Sequence, residues 1–432
     1  MPTLSTPELT RLSQTLAHAL SSDEVNQIGR DTGQAQRLRT VTPHRLFLAM
    51  VSTLGSGRVE SLADLLRAFN YQNGVDVAYK AFYNRLARAG FALFMQQMLT
   101  RLLTSLRLQM LTPDGDRAVA RFTDIVIQDG SSFAVKPALA ETFPGRFTTI
   151  EPAAVEVHAT YSGCADEVSH VAIAPDAQAE RPFLPEPATL RDRLLLADRG
   201  YPGVEYFEAV ATHGGAFIMR LTRSYDPLVR AAWVDGQRVP VATGTRLSRV
   251  LTRQAGHVVD LDVEFLRGER GLTFRVVALP GREPGMTRLC TNLPRTPFST
   301  ALIGRLYRFR WQIELYFKEW KSYANLHQFD TANPHIAAGL IWASLCAAVL
   351  KRFLAHAAER VGQGRPMSTR RVAMCAHHIL DDLVAALRRG LRVLAALRRS
   401  LLYLLANARR SNPDRDRRTG RLRTGLLVMQ AA

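Results

Sequence analysis

The chain has 432 residues, 47% of them hydrophobic and 22% charged, which excludes a disordered protein and exceeds what one core usually fills, so two or three packed units are expected. With 56 Lys+Arg against 38 Asp+Glu it carries a formal +18, a balance that points to a polyanionic partner, either nucleic acid or an anionic membrane surface. Four scattered cysteines without a CxxC pair argue against a disulfide framework, residues 1–20 hold no compact apolar signal segment, and the apolar run Ile336 to Leu350 is short for a bilayer span. A buried helix in a cytoplasmic protein is expected there, with no membrane partner.

Residues 1–120 read as a helical region. Thr42-Pro43 is an N-cap followed by a first-turn proline, opening RLFLAMVSTL, and Ser61 caps SLADLLRAF. After the turn signal Asn73-Gly74, DVAYKAFYNRLAR is helical again, which gives a candidate helix-turn-helix with Lys80, Tyr83, Asn84 and Arg85 near one face. A plain helical bundle with a solvated face fits these residues equally well.

Residues 121–221 change texture. TDIVIQDGSSFAV reads as two strands around a tight turn at Asp129-Gly130; AAVEVHATYS, SHVAIAP and RDRLLLADRG continue the strand series, GVEYFEAVATHG is helical and AFIMRL is again a strand. The fold class is therefore mixed α/β. Residues 222–297 form a β-rich insertion with turns such as PGREPG, residues 298–330 are helical, and residues 331–432 are helical and Arg-rich. From Arg388 to Arg423, twelve arginines face only Asp414 and Asp416, a net +10.

Three signals carry chemistry. On one continuous helix with Tyr307 at zero and about 100° per residue, Arg310, Glu314, Lys318, Lys321 and Trp311 fall in one stripe with Tyr307. Charges of this kind do not form a core face, since each would cost several kcal/mol to bury unpaired. A solvated face with Glu314–Lys318 pairing is one reading; a carboxylate among cations and aromatics, suited to DNA, is the other. Asp129 ends an apolar strand, which places it at a sheet rim or makes it half of an Asp-Gly hairpin pair. Asp124, five residues earlier, falls on the opposite strand face. Asp198 follows Leu194-Leu195-Leu196-Ala197, either at the carboxyl end of a strand, where open sheets build sites, or as an N-cap. Two strand-end aspartates and a helical glutamate together make a hard-oxygen ligand set for two Mg²⁺ ions.

With these residues in view the chain resembles the bacterial insertion-sequence DDE transposases that carry the signature Y-x2-R-x3-E-x6-K. Tyr307, Arg310, Glu314 and Lys321 match it at every position, Asp129-Gly130-Ser131 matches the family's first aspartate motif, and Asp198-Arg199-Gly200-Tyr201 matches its second. The resemblance implies an RNase H-like catalytic core interrupted by the insertion, with Asp129, Asp198 and Glu314 as catalytic residues and ligands of two Mg²⁺ (or Mn²⁺) ions. It implies cut-and-paste transposition on double-stranded DNA by a protein that is dimeric in the DNA complex and associated with the bacterial nucleoid. It also implies that Tyr307, Arg310 and Lys321 hold the transposon end, with Lys318 and Trp311 beside them. For the aromatic that stacks on a flipped base, Trp233 and Trp311 are both candidates, and either could instead be core. A metal-dependent nuclease and an inactive, transposase-derived DNA-binding protein are the alternatives.

Overall fold

The computed structural model describes residues 6–57, 59–268, 270–281, 285–323, 330–362, 364–418 and 426–429; Arg421, Arg423 and residues 282–284 of the PGREPG turn lie outside the described residues. Ten strands form one mixed sheet. In chain order they are β1 (Asp124–Ala134), β2 (Ala154–Ser162), β3 (Glu167–Pro175), β4 (Arg193–Ala197), β5 (Ala216–Arg220), β6 (Leu228–Val234), β7 (Gln237–Val239), β8 (Val259–Arg267), β9 (Arg270–Pro280) and β10 (Met286–Thr291). Their order across the sheet is β3-β2-β1-β4-β5-β10-β9-β8-β6-β7. The first three pair antiparallel, while β4 lies parallel to both β1 and β5. This is the mixed α/β, RNase H-like arrangement expected. The β-rich segment does not form a sheet of its own: β10 pairs antiparallel with β5 and carries the core sheet onward.

The tight turn expected at Asp129-Gly130 is absent. β1 runs straight through for 11 residues because β2 pairs with it continuously from Val126 to Ala134, and a full ladder outweighs the local turn preference of Asp-Gly. Gly130 answers a different demand: a Cβ there would lie 2.3 Å from the Oε1 of Glu156 on the neighbouring strand.

Six helices precede the sheet: α1 (Thr6–Ala19), α2 (Ser22–Asp31), α3 (Pro43–Gly55), α4 (Leu62–Asn73), α5 (Tyr79–Leu86) and α6 (Ala89–Ser105). The ends of α3 and α4 follow the capping chemistry read from the sequence. Thr42 accepts the Arg45 N–H, Ser61 and Asp64 form a reciprocal capping box, and Gly74 closes α4 at φ 62°. α7 (Val204–Thr212) and α8 (Leu247–Arg253) lie between strands; α9 (Thr300–Phe309), α10 (Trp311–Tyr323), α11 (Pro334–Val361), α12 (Thr369–Arg389) and α13 (Val393–Asn407) follow them.

Strand alternation sorts the core into two layers. Val126, Leu195, Ala197 and Phe217 pack with Phe207 of α7 and Leu247 of α8. Ile125, Ile127, Leu194, Leu196 and Ile218 point the other way, into a larger cluster shared with α1–α6 and α9–α13. α11 is the axis of that cluster. It is longer than the apolar run alone suggests, at 28 residues, and is long and apolar enough to cross a membrane, yet 94% of its most apolar window is buried inside the protein, as in a core helix.

Candidate active site

The register of two parallel strands brings the aspartates together. Gln128 of β1 pairs with Ala197 of β4, so Asp129 and Asp198, each one residue further on, are neighbours. Both continue the odd or even series (Ile125, Ile127; Leu194, Leu196) whose side chains meet α9 and α10. Asp198 is not an N-cap, since Gly203 holds that position before α7. Asp124 lies on the other face, where it accepts hydrogen bonds from the Ser162 hydroxyl (2.6 Å) and the Cys164 amide (3.0 Å).

Glu314 reaches the same place from α10, which is seated by Ile313, Tyr316, Phe317 and Trp320, all buried. Those positions recur at helical spacing and, at roughly 1.5–3 kcal/mol for each large side chain buried, they fix the helix axis. Two polar ties lock it further: Glu319 accepts from Arg352 of α11 (3.0 Å), and Lys351 donates to the Tyr323 carbonyl (2.7 Å). The continuous helix expected from Tyr307 onward is interrupted at Arg310, which caps α9. The interruption leaves the signature face intact: Tyr307, Arg310, Glu314 and Lys321 all face β1 and the end of β4. Asp129 itself lies mid-strand in β1, not at the sheet rim expected for it.

The Arg310 guanidinium is the hub. It forms ion pairs with Asp129 and with Glu314 (3.2 Å), and its carbon lies 5.9 Å from the Tyr307 ring centre. The Tyr307 hydroxyl donates to Asp198 (2.9 Å), Arg220 at the end of β5 stands 3.7 Å from the same carboxylate, and Lys321 donates to the Ser132 carbonyl (2.7 Å). Burial pushes the Asp129 carboxyl up to about 7; Arg310 opposes the shift, while Glu314 and Asp198 add to it. Burial works against the Arg310 charge too, but the surrounding carboxylates outweigh it and hold its pKa above the usual arginine value. Among the described residues no three His, Cys, Asp or Glu side chains stand close enough together to hold an ion as arranged here. A protein cation, Arg310, occupies the space between two of the carboxylates.

The remaining expected residues separate. Lys318 and Trp311, both exposed, lie at the outer edge of the stripe and line a groove of about 650 Å³ beside α10. Trp233 is not core either: it sits on β6, with the Arg295 guanidinium 3.6 Å above its ring. In the candidate helix-turn-helix, Arg85 turns inward and donates to the Val41 carbonyl (3.0 Å), and Tyr83 stacks on Tyr79, leaving Lys80 and Asn84 exposed. Sequence reasoning missed Arg220, whose signal was a cation ending the strand next to Asp198. It also missed a second acidic group behind the site, where Arg146 faces Glu156 (3.5 Å), Asp176 (3.9 Å) and Glu180 (3.8 Å). Gly200 makes room for that group, because a Cβ there would meet the Glu180 carboxylate at 1.7 Å.

The carboxylates of Asp129, Asp198 and Glu314 thus converge beside Arg310 and the Lys321-bearing helix α10, at the C-terminal end of β4. Residues 120–350 match the family model of the transposase DDE domain, and the chain belongs to that family. It is 20% identical over 361 residues to the transposase for insertion sequence element IS1151 of Clostridium perfringens, covering 74% of this chain and 75% of that one. It is 21% identical over 451 residues to the IS231C transposase of Bacillus thuringiensis subsp. berliner, covering 94% and 93%. A 66-residue stretch is 41% identical to the IS421 transposase of Escherichia coli, 15% of this chain and 18% of that one. A piggyBac transposase synaptic complex with hairpin DNA, solved by cryo-EM, shares 8% identity at TM-score 0.45 over 91% of this chain and 85% of that one. The function is DNA transposition, and the family's chemistry is the cutting and rejoining of phosphodiester bonds.

Proposed function

We propose that Asp129, Asp198 and Glu314 form the acidic centre at which this transposase cleaves transposon ends and joins them to target DNA. The reading rests on one observation: two aspartates in register on neighbouring parallel strands share a sheet face with a glutamate on the helix that covers it. The donor set fits Mg²⁺ or Mn²⁺, which take carboxylate oxygens and keep several waters. Its surplus of negative charge, which helps to raise Asp129, is what a divalent cation relieves. When bound, two such ions would supply an activated water or 3′-hydroxyl and stabilisation of the leaving oxygen.

The chain's own residues divide the remaining work. Arg310 neutralises Asp129 and Glu314 in the resting chain, and its planar fork suits a phosphate once those partners are taken up elsewhere. Tyr307 and Arg220 orient Asp198. Lys321, tied to the β1 backbone, presents a cation at the rim, and Lys318 and Trp311 extend the surface for DNA along α10. Lys80 and Asn84 on α5 are the side chains free to read the transposon end, and pairing of two copies on DNA completes the assembly. The test is cleavage of DNA carrying the element's own ends, with Mg²⁺ or Mn²⁺ supplied. Asp129→Ala, Asp198→Ala and Glu314→Ala should each abolish cleavage while end binding persists; cleavage retained by any one of them removes that residue from the centre.

A further inference from the structure

Four arginines from opposite ends of the chain converge on a single cleft. Arg39 and Arg45 flank the start of α3, Arg388 and Arg389 end α12, and with Thr42 and Asn73 they line a concavity of about 520 Å³ with no carboxylate among the described residues that line it. None of the four forms an ion pair among the described residues; Arg45 reaches the Thr40 carbonyl at 3.5 Å. The guanidiniums of Arg310, Arg352 and Arg275, by contrast, are each matched by a carboxylate. Here burial, and after it the neighbouring Arg389 and Arg45, hold Arg388 below the usual arginine range.

Like charges crowded into one concavity repel, and a fold that keeps them without an internal counter-ion is shaped for an external anion. The α3 N-terminus is not the attraction. Pro43 has no N–H, the His44 amide is taken by Asn26 (3.1 Å) and the Arg45 amide by Thr42 (3.2 Å). An anion entering the cleft therefore meets side-chain guanidiniums, which grip phosphate oxygens two at a time. Arg39, Arg45 and Arg389 are exposed, so the cations face outward toward a surface and do not enclose a small molecule. The cleft joins the N-terminal helices to α12, which packs against the α10 helix that bears Glu314.

We propose that this four-arginine cleft is a clamp for the phosphate backbone of duplex DNA, separate from the carboxylate centre and indifferent to base sequence. It rests on the reading of the chain as a DNA-cutting transposase, but its test is a binding measurement that does not depend on cleavage. In the full-length chain, Arg39→Gln/Arg45→Gln, Arg388→Gln/Arg389→Gln and the fourfold combination are compared with wild type. Affinity is measured for a duplex bearing the element's end and for a random duplex of equal length, between 50 and 200 mM salt. The fourfold variant is expected to lose affinity for both duplexes by the same factor, and its slope of log K against log[salt] should be shallower by about 0.9 for each phosphate no longer neutralised. Without DNA its melting temperature should hold or rise, because repulsion is relieved. If it melts lower, the two double variants carry the slope measurement. An unchanged slope overturns the clamp, and so does a changed ratio of end to random affinity, which would make the cleft a reader of bases.

Discussion

The two halves of the ten-stranded sheet treat their acids in opposite ways. In the first half, Asp129 and Glu314 share one guanidinium, Asp198 leans on a tyrosine hydroxyl and a distant Arg220, and one arginine, Arg146, is shared by Glu156, Asp176 and Glu180. In the second half, Asp260, Asp262 and Glu264 meet Arg275, Arg295 and Arg230. The first half thus gathers six carboxylates, from strands, loops and α10, around three arginines, while the second sets three around three. A balanced set is what stability alone would select, since an unpaired buried charge is expensive. Under the proposed function, the surplus in the first half is where charge from outside the chain enters.

The comparison breaks most sharply under substitution. Asp129→Asn, Asp198→Asn and Glu314→Gln should each lower end cleavage by orders of magnitude, read by gel, with no loss of melting temperature, because each removes charge from an over-acidic cluster. Asp260→Asn should do the reverse. It strands the buried Arg275, which also donates to the carbonyls of Pro294 and Phe298, and denaturant unfolding should register a loss of about 3–5 kcal/mol. Cleavage per folded molecule should stay near wild type. If Asp260→Asn cost no stability, the second half would not be a closed structural set.

Arg310→Lys comes next in size. It keeps the charge but loses the fork that spans Asp129 and Glu314, and a small misplacement of the scissile phosphate can cost about 10²-fold in rate. A comparable loss of cleavage at unchanged melting temperature is expected; wild-type rates would reduce Arg310 to a counter-ion.

The smallest effect concerns pH. Burial and the nearby Glu180 push Glu156 up to about 7, above its value in the unfolded chain, so the folded state holds the proton more tightly. Stability from this group is therefore present at low pH and lost as pH rises toward 7. Glu156→Gln removes that loss, and its melting-temperature advantage over wild type should grow from about pH 5 to pH 7 and then level off. A difference that is flat across this range would show that Arg146 already balances the group.

Much of this was legible in the chain. The helix caps at Thr42 and Ser61, the run into Asp198 and the acid–cation stripe on residues 307–321 are local signals, and local chemistry decided them. The turn at Asp129-Gly130 was misread because a two-residue preference says nothing of the β2 strand that pairs across it. The break at Arg310 was invisible to a wheel drawn at constant pitch. Arg220, the acidic group around Arg146 and the four-arginine cleft depend on residues up to 350 positions apart (Arg39 with Arg389), and only the closed fold brings those residues together. The sheet's extension through β10 was hidden for the same reason, since strand pairing is a tertiary choice.

Binding of Mn²⁺ by the folded chain, followed by calorimetry or by the loss of its free-ion paramagnetic signal, tests the surplus-charge account most directly. Wild type and Asp260→Asn should bind the ion alike, and the Asp129→Asn/Asp198→Asn double variant should lose that binding while remaining folded. Equal Mn²⁺ affinity in wild type and the double variant would contradict the account and leave the two aspartates as structural neighbours of Arg310.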